Sequence, residues 1–160
     1  MNVYLVRHAH AGDRSRWNGD DAERPLSARG RDQADAVAQA LRGAPIVRVL
    51  SSPALRCQQT VGPLAHLLGL EVEIAREFEE AAPLRPARAR LDKLARLDGD
   101  VVVCGHGDLI PELLDDLRRD GVDVDGAGCA KGSVWQVSAE DGRYRRAVYH
   151  RHPDESLRPA

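Results

Sequence analysis

The sequence is short of cysteine, of lysine and of long apolar runs, and each shortage narrows what the chain can be. Only Cys57, Cys104 and Cys129 occur, an odd number with no C-x-x-C spacing. That excludes a disulfide-stapled scaffold and fits reduced, structural thiols in a cytoplasmic compartment. No apolar run approaches the roughly 18 residues of a membrane span, and an opening directly on a strand leaves no signal peptide to expect. Lys93 and Lys131 are the only lysines, a skew toward arginine that reflects base composition more than function. Net charge is −2 with histidine neutral, so there is no global signature of nucleic acid or membrane binding. There is no internal repeat and no low-complexity segment. At 160 residues, 42% hydrophobic and 30% charged, the chain is expected to be one domain over residues 1–152 with a tail over 153–160.

What is present is an alternation of short apolar runs with helical periodicities. Val3-Tyr4-Leu5-Val6, residues 46–50, residues 71–74 and Val101-Val102-Val103-Cys104 read as strands, the last covered on both faces. Ala34, Val37, Ala38 and Leu41 share one face of a helix N-capped by Ser27. Ser52 is expected to cap a second helix with Pro53 at its first position, and Pro63 to bend or break it. A third helix is expected over 87–97, and a fourth carries Leu109, Ile110, Leu113, Leu114 and Leu117. Residues 9–25 and 120–132 read as loops, and 133–137 with 144–150 as a hairpin across Asp141-Gly142. The alternation predicts an α/β fold, a three-layer sandwich with a mostly parallel sheet flanked by helices.

Three strands end in residues that carry chemistry. Arg7-His8 follows the first, Ser51-Ser52-Pro53 leads to Arg56 after the second, and Gly105-His106-Gly107 follows the fourth. Ligands of open α/β sheets sit beyond the carboxyl ends of strands, so two arginines and two histidines would meet at one edge. Guanidinium groups bind phosphate through paired, charge-assisted hydrogen bonds. Gly105 and Gly107 let the backbone approach a ligand. A neutral imidazole is a competent nucleophile toward phosphorus, and neighbouring cations lower its pKa. A second histidine, donating to a phosphoryl oxygen, would stabilise the transition state. The leaving group needs a proton, and Glu77, Glu79 and Glu80 are the carboxylates at hand. Lys131 and Arg24 are loop cations within reach of such a site. His10 reads as a loop residue, and no metal site is expected from His8, His10 and His106.

These segments carry a family resemblance. Leu5-Val6-Arg7-His8-Ala9, then Ser51-Ser52-Pro53-Ala54-Leu55-Arg56-Cys57-Gln58-Gln59-Thr60, then Val103-Cys104-Gly105-His106-Gly107 resemble the histidine phosphatase superfamily, with its phosphoglycerate mutase-like fold. Arg24-Pro25-Leu26-Ser27-x-x-Gly30 and the short length look like the SixA-type phosphohistidine phosphatases. Asp20-Asp21-x-x-Arg24-Pro25-Leu26 and Lys131-Gly132-Ser133-x-Trp135 are similar to the phosphatase-like C-terminal domain of actinobacterial MutT-type Nudix proteins. The resemblance implies a phosphorylated nucleophile at His8, a phosphate pocket of Arg7, Arg56 and His106 beside Gly107, and no metal or other cofactor. The family's acid follows a hydrophobic residue by two positions, as Glu80 follows Phe78, so Glu80 is preferred while Glu77 and Glu79 stay open. Ala9-His10-Ala11-Gly12 departs from the Gly, Ser/Thr and Asn positions of many members. With the short length, this counts against a sugar-phosphate mutase.

The expected activity is metal-independent hydrolysis of a phosphomonoester or phosphoramidate through a phosphohistidine on His8. The substrate would be a small phosphorylated metabolite or nucleotide, or a phosphohistidine protein. Neither nucleic acid nor membrane is an expected partner; a separate Nudix hydrolase is a candidate one. The alternative is a non-catalytic, phosphate-binding regulatory module of the same fold, which gains ground if none of the three glutamates reaches the pocket.

Overall fold

Period-two alternation along the apolar runs sorts the side chains of the central strands into two cores. The computed structural model describes residues 1–154 and 157. Its strands are β1 (Asn2–Arg7), β2 (Ile46–Ser51), β3 (Val72–Ile74), β4 (Asp100–Gly105), β5 (Asp123–Asp125), β6 (Val134–Glu140) and β7 (Arg143–His150). Its helices are α1 (Ala28–Leu41), α2 (Leu55–Leu68), α3 (Leu84–Leu94) and α4 (Leu109–Arg119). The strands form one sheet in the order β3-β2-β4-β1-β6-β7-β5. β1 to β4 run parallel, β6 is antiparallel to both β1 and β7, and β5 lies parallel to β7.

Val3 and Leu5 of β1, with Val101 and Val103 of β4, pack against Leu91 and Leu94 of α3 and Leu113 and Leu117 of α4. Tyr4, Val6, Val102 and Cys104 point the other way, onto Val37 and Leu41 of α1 and Val61 and Leu64 of α2. Each such large apolar side chain contributes about 1.5–3 kcal/mol on burial. Two covered faces explain why β1 and β4 show no polar alternation. Among the described residues no helix is long and apolar enough to cross a membrane.

Several boundaries differ from expectation. Ala54, not Ser52, is the N-cap of α2, with no side-chain cap, and the Ser52 hydroxyl meets His106. α2 runs through Pro63 to Leu68; the ring forfeits one backbone bond, while buried Val61, Leu64 and Ala65 hold the turns on either side. α3 starts at Leu84, since Pro86 in a first turn lacks only an N–H that would have no helical partner there. The 120–132 stretch contains β5, a charged edge strand of the kind that discourages further pairing. Within the expected tail, Leu157 is 1% exposed and belongs to the core against α1 and α2; residues 155, 156 and 158–160 lie outside the described residues.

Candidate active site

Backbone register brings the reactive residues together. Arg7 lies opposite Gly105, and Ser51 opposite Cys104. The ladder then continues one residue past each strand end: His8 N–H donates to Gly105 O at 3.0 Å, and Ser52 N–H to Cys104 O at 3.0 Å. His8 and His106 consequently face each other edge to face, with ring centroids 5.4 Å apart. Thr60 of α2 ties in the exit from β1, accepting from Ala9 N–H at 2.9 Å and donating to Arg56 O at 2.7 Å.

The His8 tautomer follows from its partner. A carbonyl only accepts, so His8 Nδ1, 2.8 Å from Ala9 O, carries the ring proton and leaves a lone pair on Nε2. Ser52 Oγ accepts from Ala54 N–H at 3.3 Å and lies 2.8 Å from His106 Nε2. His106 Nδ1, Arg7 Nε and Arg56 Nε are buried without a hydrogen-bond partner. Unpaired nitrogens on two guanidinium groups and an imidazole at one sheet edge suit an anion with several oxygens.

Burial above all, then His106, Arg56 and Arg7, pushes the His8 pKa down from 6.5 to about 3, against the Ala9 carbonyl pulling the other way. Cations thus act in the expected direction, but desolvation dominates. Gly107 lines the cleft and also makes room for a neighbouring side chain. A Cβ there would stand 2.5 Å from Arg7 Cζ, so the missing side chain makes room for the Arg7 guanidinium, which donates from Nη1 to Cys129 O at 2.6 Å.

Arg7, His8, His106, Gly107, Glu80, Arg24 and Lys131 line one open cleft of about 620 Å³. Arg56 does not line it. It is 1% exposed and borders an adjoining depression of about 410 Å³ that shares His106 and Glu80 with the cleft. Its guanidinium contacts Asp21 O at 2.9 Å, Asp21 Oδ2 at 3.2 Å and Glu80 Oε2 at 3.3 Å. The glutamates separate by direction. Glu77 turns to Arg90 at 3.3 Å and Glu79 to Arg76 at 2.9 Å, whereas Glu80 enters the cleft wall and meets Arg14 at 2.7 Å.

The 9–25 loop closes over this edge in two single-turn helices, Arg14–Arg16 and Asp21–Glu23. Burial would raise the Asp21 pKa, but Arg24, Arg56 and Arg14 together hold it below its usual range. Gly30 lets the same loop lie flat on α1, since a Cβ there would sit 1.9 Å from the His10 carbonyl. The Lys131 pKa is lowered by burial and by Arg7, Arg24, Arg14 and Arg29.

Sequence reasoning assigned no role at the site to His10, Asp21 or Asp108. His10 lines the cleft with Nδ1 2.7 Å from Ser27 Oγ. Asp108 lines it too and accepts from Ala81 N–H at 2.7 Å. For Asp21 the signal was present in its spacing from Arg24; for Asp108 it was only proximity to Gly-His-Gly.

A sheet covered on both faces, with a neutral histidine, a second histidine and buried arginines at its strand ends, defines an α/β protein built to hold an oxyanion against a nucleophile. Residues 3–83 match the histidine phosphatase superfamily (branch 1). The chain belongs to that superfamily and is a phosphatase of that kind. An 8-oxo-(d)GTP phosphatase of Mycolicibacterium smegmatis is 38% identical over 157 residues, 96% of this chain and 49% of that protein. The chain thus spans about half the length of that relative. The protein histidine phosphatase SixA, solved with tungstate, superposes with a TM-score of 0.76 at 25% identity, covering 98% of each chain. A mycobacterial glucosyl-3-phosphoglycerate phosphatase shares the fold, with a TM-score of 0.70 at 19% identity over 90% of this chain and 96% of that one.

Proposed function

We propose that the chain dephosphorylates a small phosphorylated metabolite or nucleotide through a phosphohistidine on His8. The observation that carries this mechanism is the hydrogen bond from His8 Nδ1–H to the Ala9 carbonyl. It aims a free Nε2 lone pair from a ring whose low pKa keeps it neutral at physiological pH. His8 Nε2 attacks phosphorus in line, and a P–N bond forms as the bond to the leaving oxygen breaks. Arg7 and His106 hold the equatorial oxygens, and Arg56 adds charge from the adjoining wall. Glu80 as the acid protonates the leaving oxygen. As carboxylate it then takes a proton from water, which attacks phosphorus, breaks the P–N bond and releases phosphate. The place of Glu80 in the cleft wall supports turnover over the reading as a binding module.

His10, Arg24 and Lys131 line the same cleft and favour a substrate with a second anionic group, as a nucleotide has. Likeness to an 8-oxo-(d)GTP phosphatase supports that class, and a separate Nudix hydrolase is a candidate supplier of it. Likeness to SixA supports a second reading, a phosphohistidine protein, whose nitrogen leaving group departs with little help from an acid. The test is hydrolysis of p-nitrophenyl phosphate, nucleoside phosphates, sugar phosphates and a phosphohistidine protein in excess EDTA, with His8→Ala alongside. Turnover that survives EDTA and vanishes in His8→Ala is expected. Equal turnover by His8→Ala overturns the mechanism, and vanadate binding without turnover of any substrate restores the binding module.

A further inference from the structure

Glu80 sits on an unfavourable piece of backbone. The turn Glu79–Ala82 is closed by Ala82 N–H donating to Glu79 O at 3.1 Å, with Glu80 and Ala81 as its central residues. Ala81 has φ 62°, at the turn position where glycine is favoured and a Cβ is not. Ala81 is also exposed, so packing does not impose that conformation. On the near side the turn is anchored by Phe78, 1% exposed. On the far side its polar anchor is Asp108, whose Oδ2 accepts the Ala81 N–H at 2.7 Å.

Asp108 comes two residues after His106 and occupies the N-cap position of α4. The loop that places His106 thereby also grips the loop that places Glu80. We infer that Asp108 is a positioning residue: its carboxylate pins the strained turn at Ala81 and holds Glu80 where the leaving group is protonated. This rests on Glu80 being the acid. Burial would raise the Asp108 pKa, but backbone N–H groups, that of Ala81 first, hold it below the usual carboxylate range, so it remains an acceptor at working pH. Once released, Ala81 would relax to negative φ, and Glu80 would swing with the peptide plane.

The readout is dependence on the leaving group. An alkyl phosphate needs its departing oxygen protonated, whereas p-nitrophenolate leaves unaided. The Asp108 side chain makes no cap hydrogen bond to α4, so Asp108→Ser removes no cap, and the serine is too short to reach Ala81. It is expected to lower kcat/KM by about tenfold or more on an alkyl phosphate, against a loss below about threefold on p-nitrophenyl phosphate, since general acids contribute roughly 10²–10⁴-fold. That ratio reports only the steps through departure of the leaving group and not the later hydrolysis common to all substrates. Asp108→Asn, which retains an acceptor oxygen, should restore most of the alkyl phosphate rate. Glu80→Gln should show the same selective loss, and adding Asp108→Ser to it should cost nothing further on either substrate. Asp108→Ala removes the same acceptor and is read in the same way should Asp108→Ser not fold. Equal losses on both substrates would make Asp108 merely structural and overturn the proposal. Selective loss in Glu80→Gln but in neither Asp108→Ser nor Asp108→Ala overturns the role of Asp108 and leaves the acid in place. No selective loss in Glu80→Gln overturns the acid, and this proposal with it.

Discussion

One wall of the cleft carries Arg7, His8 and His106 and continues the hydrogen-bond ladder of β1 and β4. The wall across from it carries Arg14, Arg24 and Glu80 and is assembled from loops through ion pairs at 2.7–3.3 Å, among them those of Arg24 and Arg56 with Asp21. The ladder wall is fixed by register, so its residues move only if the sheet does. The loop wall rests on charges, and Asp21 alone pairs with three arginines: Arg14, Arg24 and Arg56. The proposed nucleophile and phosphate donors thus sit on the hydrogen-bonded sheet, and the groups proposed to meet the rest of the substrate sit on loops held by ion pairs.

The sharpest way to break this contrast is at the ladder wall. His8→Ala should cut turnover of p-nitrophenyl phosphate by at least about 10⁴-fold while the protein melts as a folded domain. Arg7→Ala or His106→Ala should cut kcat by about 10²–10³-fold. A smaller loss in single-turnover assays would mean that the unpartnered nitrogens do not hold the phosphoryl oxygens. In the loop wall, Asp21→Ala strips a partner from the almost fully buried Arg56. It should lower unfolding free energy in urea by about 2 kcal/mol, raise KM more than it lowers kcat, and steepen the dependence of KM on salt. An unchanged salt profile would show that the wall is not held by charge.

His8 also links the ladder wall to pH. Its folded pKa is about 3 against an ordinary 6.5, so between those values the unfolded chain binds a proton that the native state refuses. Its contribution to stability is complete above about pH 6.5 and is lost as pH falls toward 3. Relative to His8→Asn, the wild type should lose about 1–2 kcal/mol between pH 6.5 and pH 5; parallel stability curves in denaturant would contradict this. The smallest effect belongs to Arg14→Ala. It breaks exposed pairs with Asp21 and Glu80 and should change stability by less than about 1 kcal/mol, with any larger loss pointing to a network rather than a pair.

The two walls were unequally legible. Arg7, His8 and His106 could be placed because each follows an apolar run, and the carboxyl end of a buried parallel strand is a defined location. The sandwich itself followed from the same runs. Partners within the loop wall depend on how residues 9–25 fold back over α2, which no local periodicity encodes. Asp21 reaches Arg56 across 35 positions, and Arg14 reaches Glu80 across 66. Asp108 was overlooked for a related reason: its role lies in a φ angle on a different loop. The preference for Glu80 over Glu77 and Glu79 came from a motif, whereas their differing directions show in their partners, Arg90 for Glu77, Arg76 for Glu79 and Arg14 for Glu80.

The position of β1 in the sheet has a kinetic consequence. It is hydrogen-bonded on both sides, to β4 and to β6, strands that lie about 100 and about 135 residues further along the chain. Closing such separations costs loop entropy before any contact rewards it, and folding slows accordingly. His8 is made before β4 and β6 and cannot take up its orientation until the polypeptide through β6 has left the ribosome. The candidate nucleophile is therefore set in place by the late arrival of its neighbours.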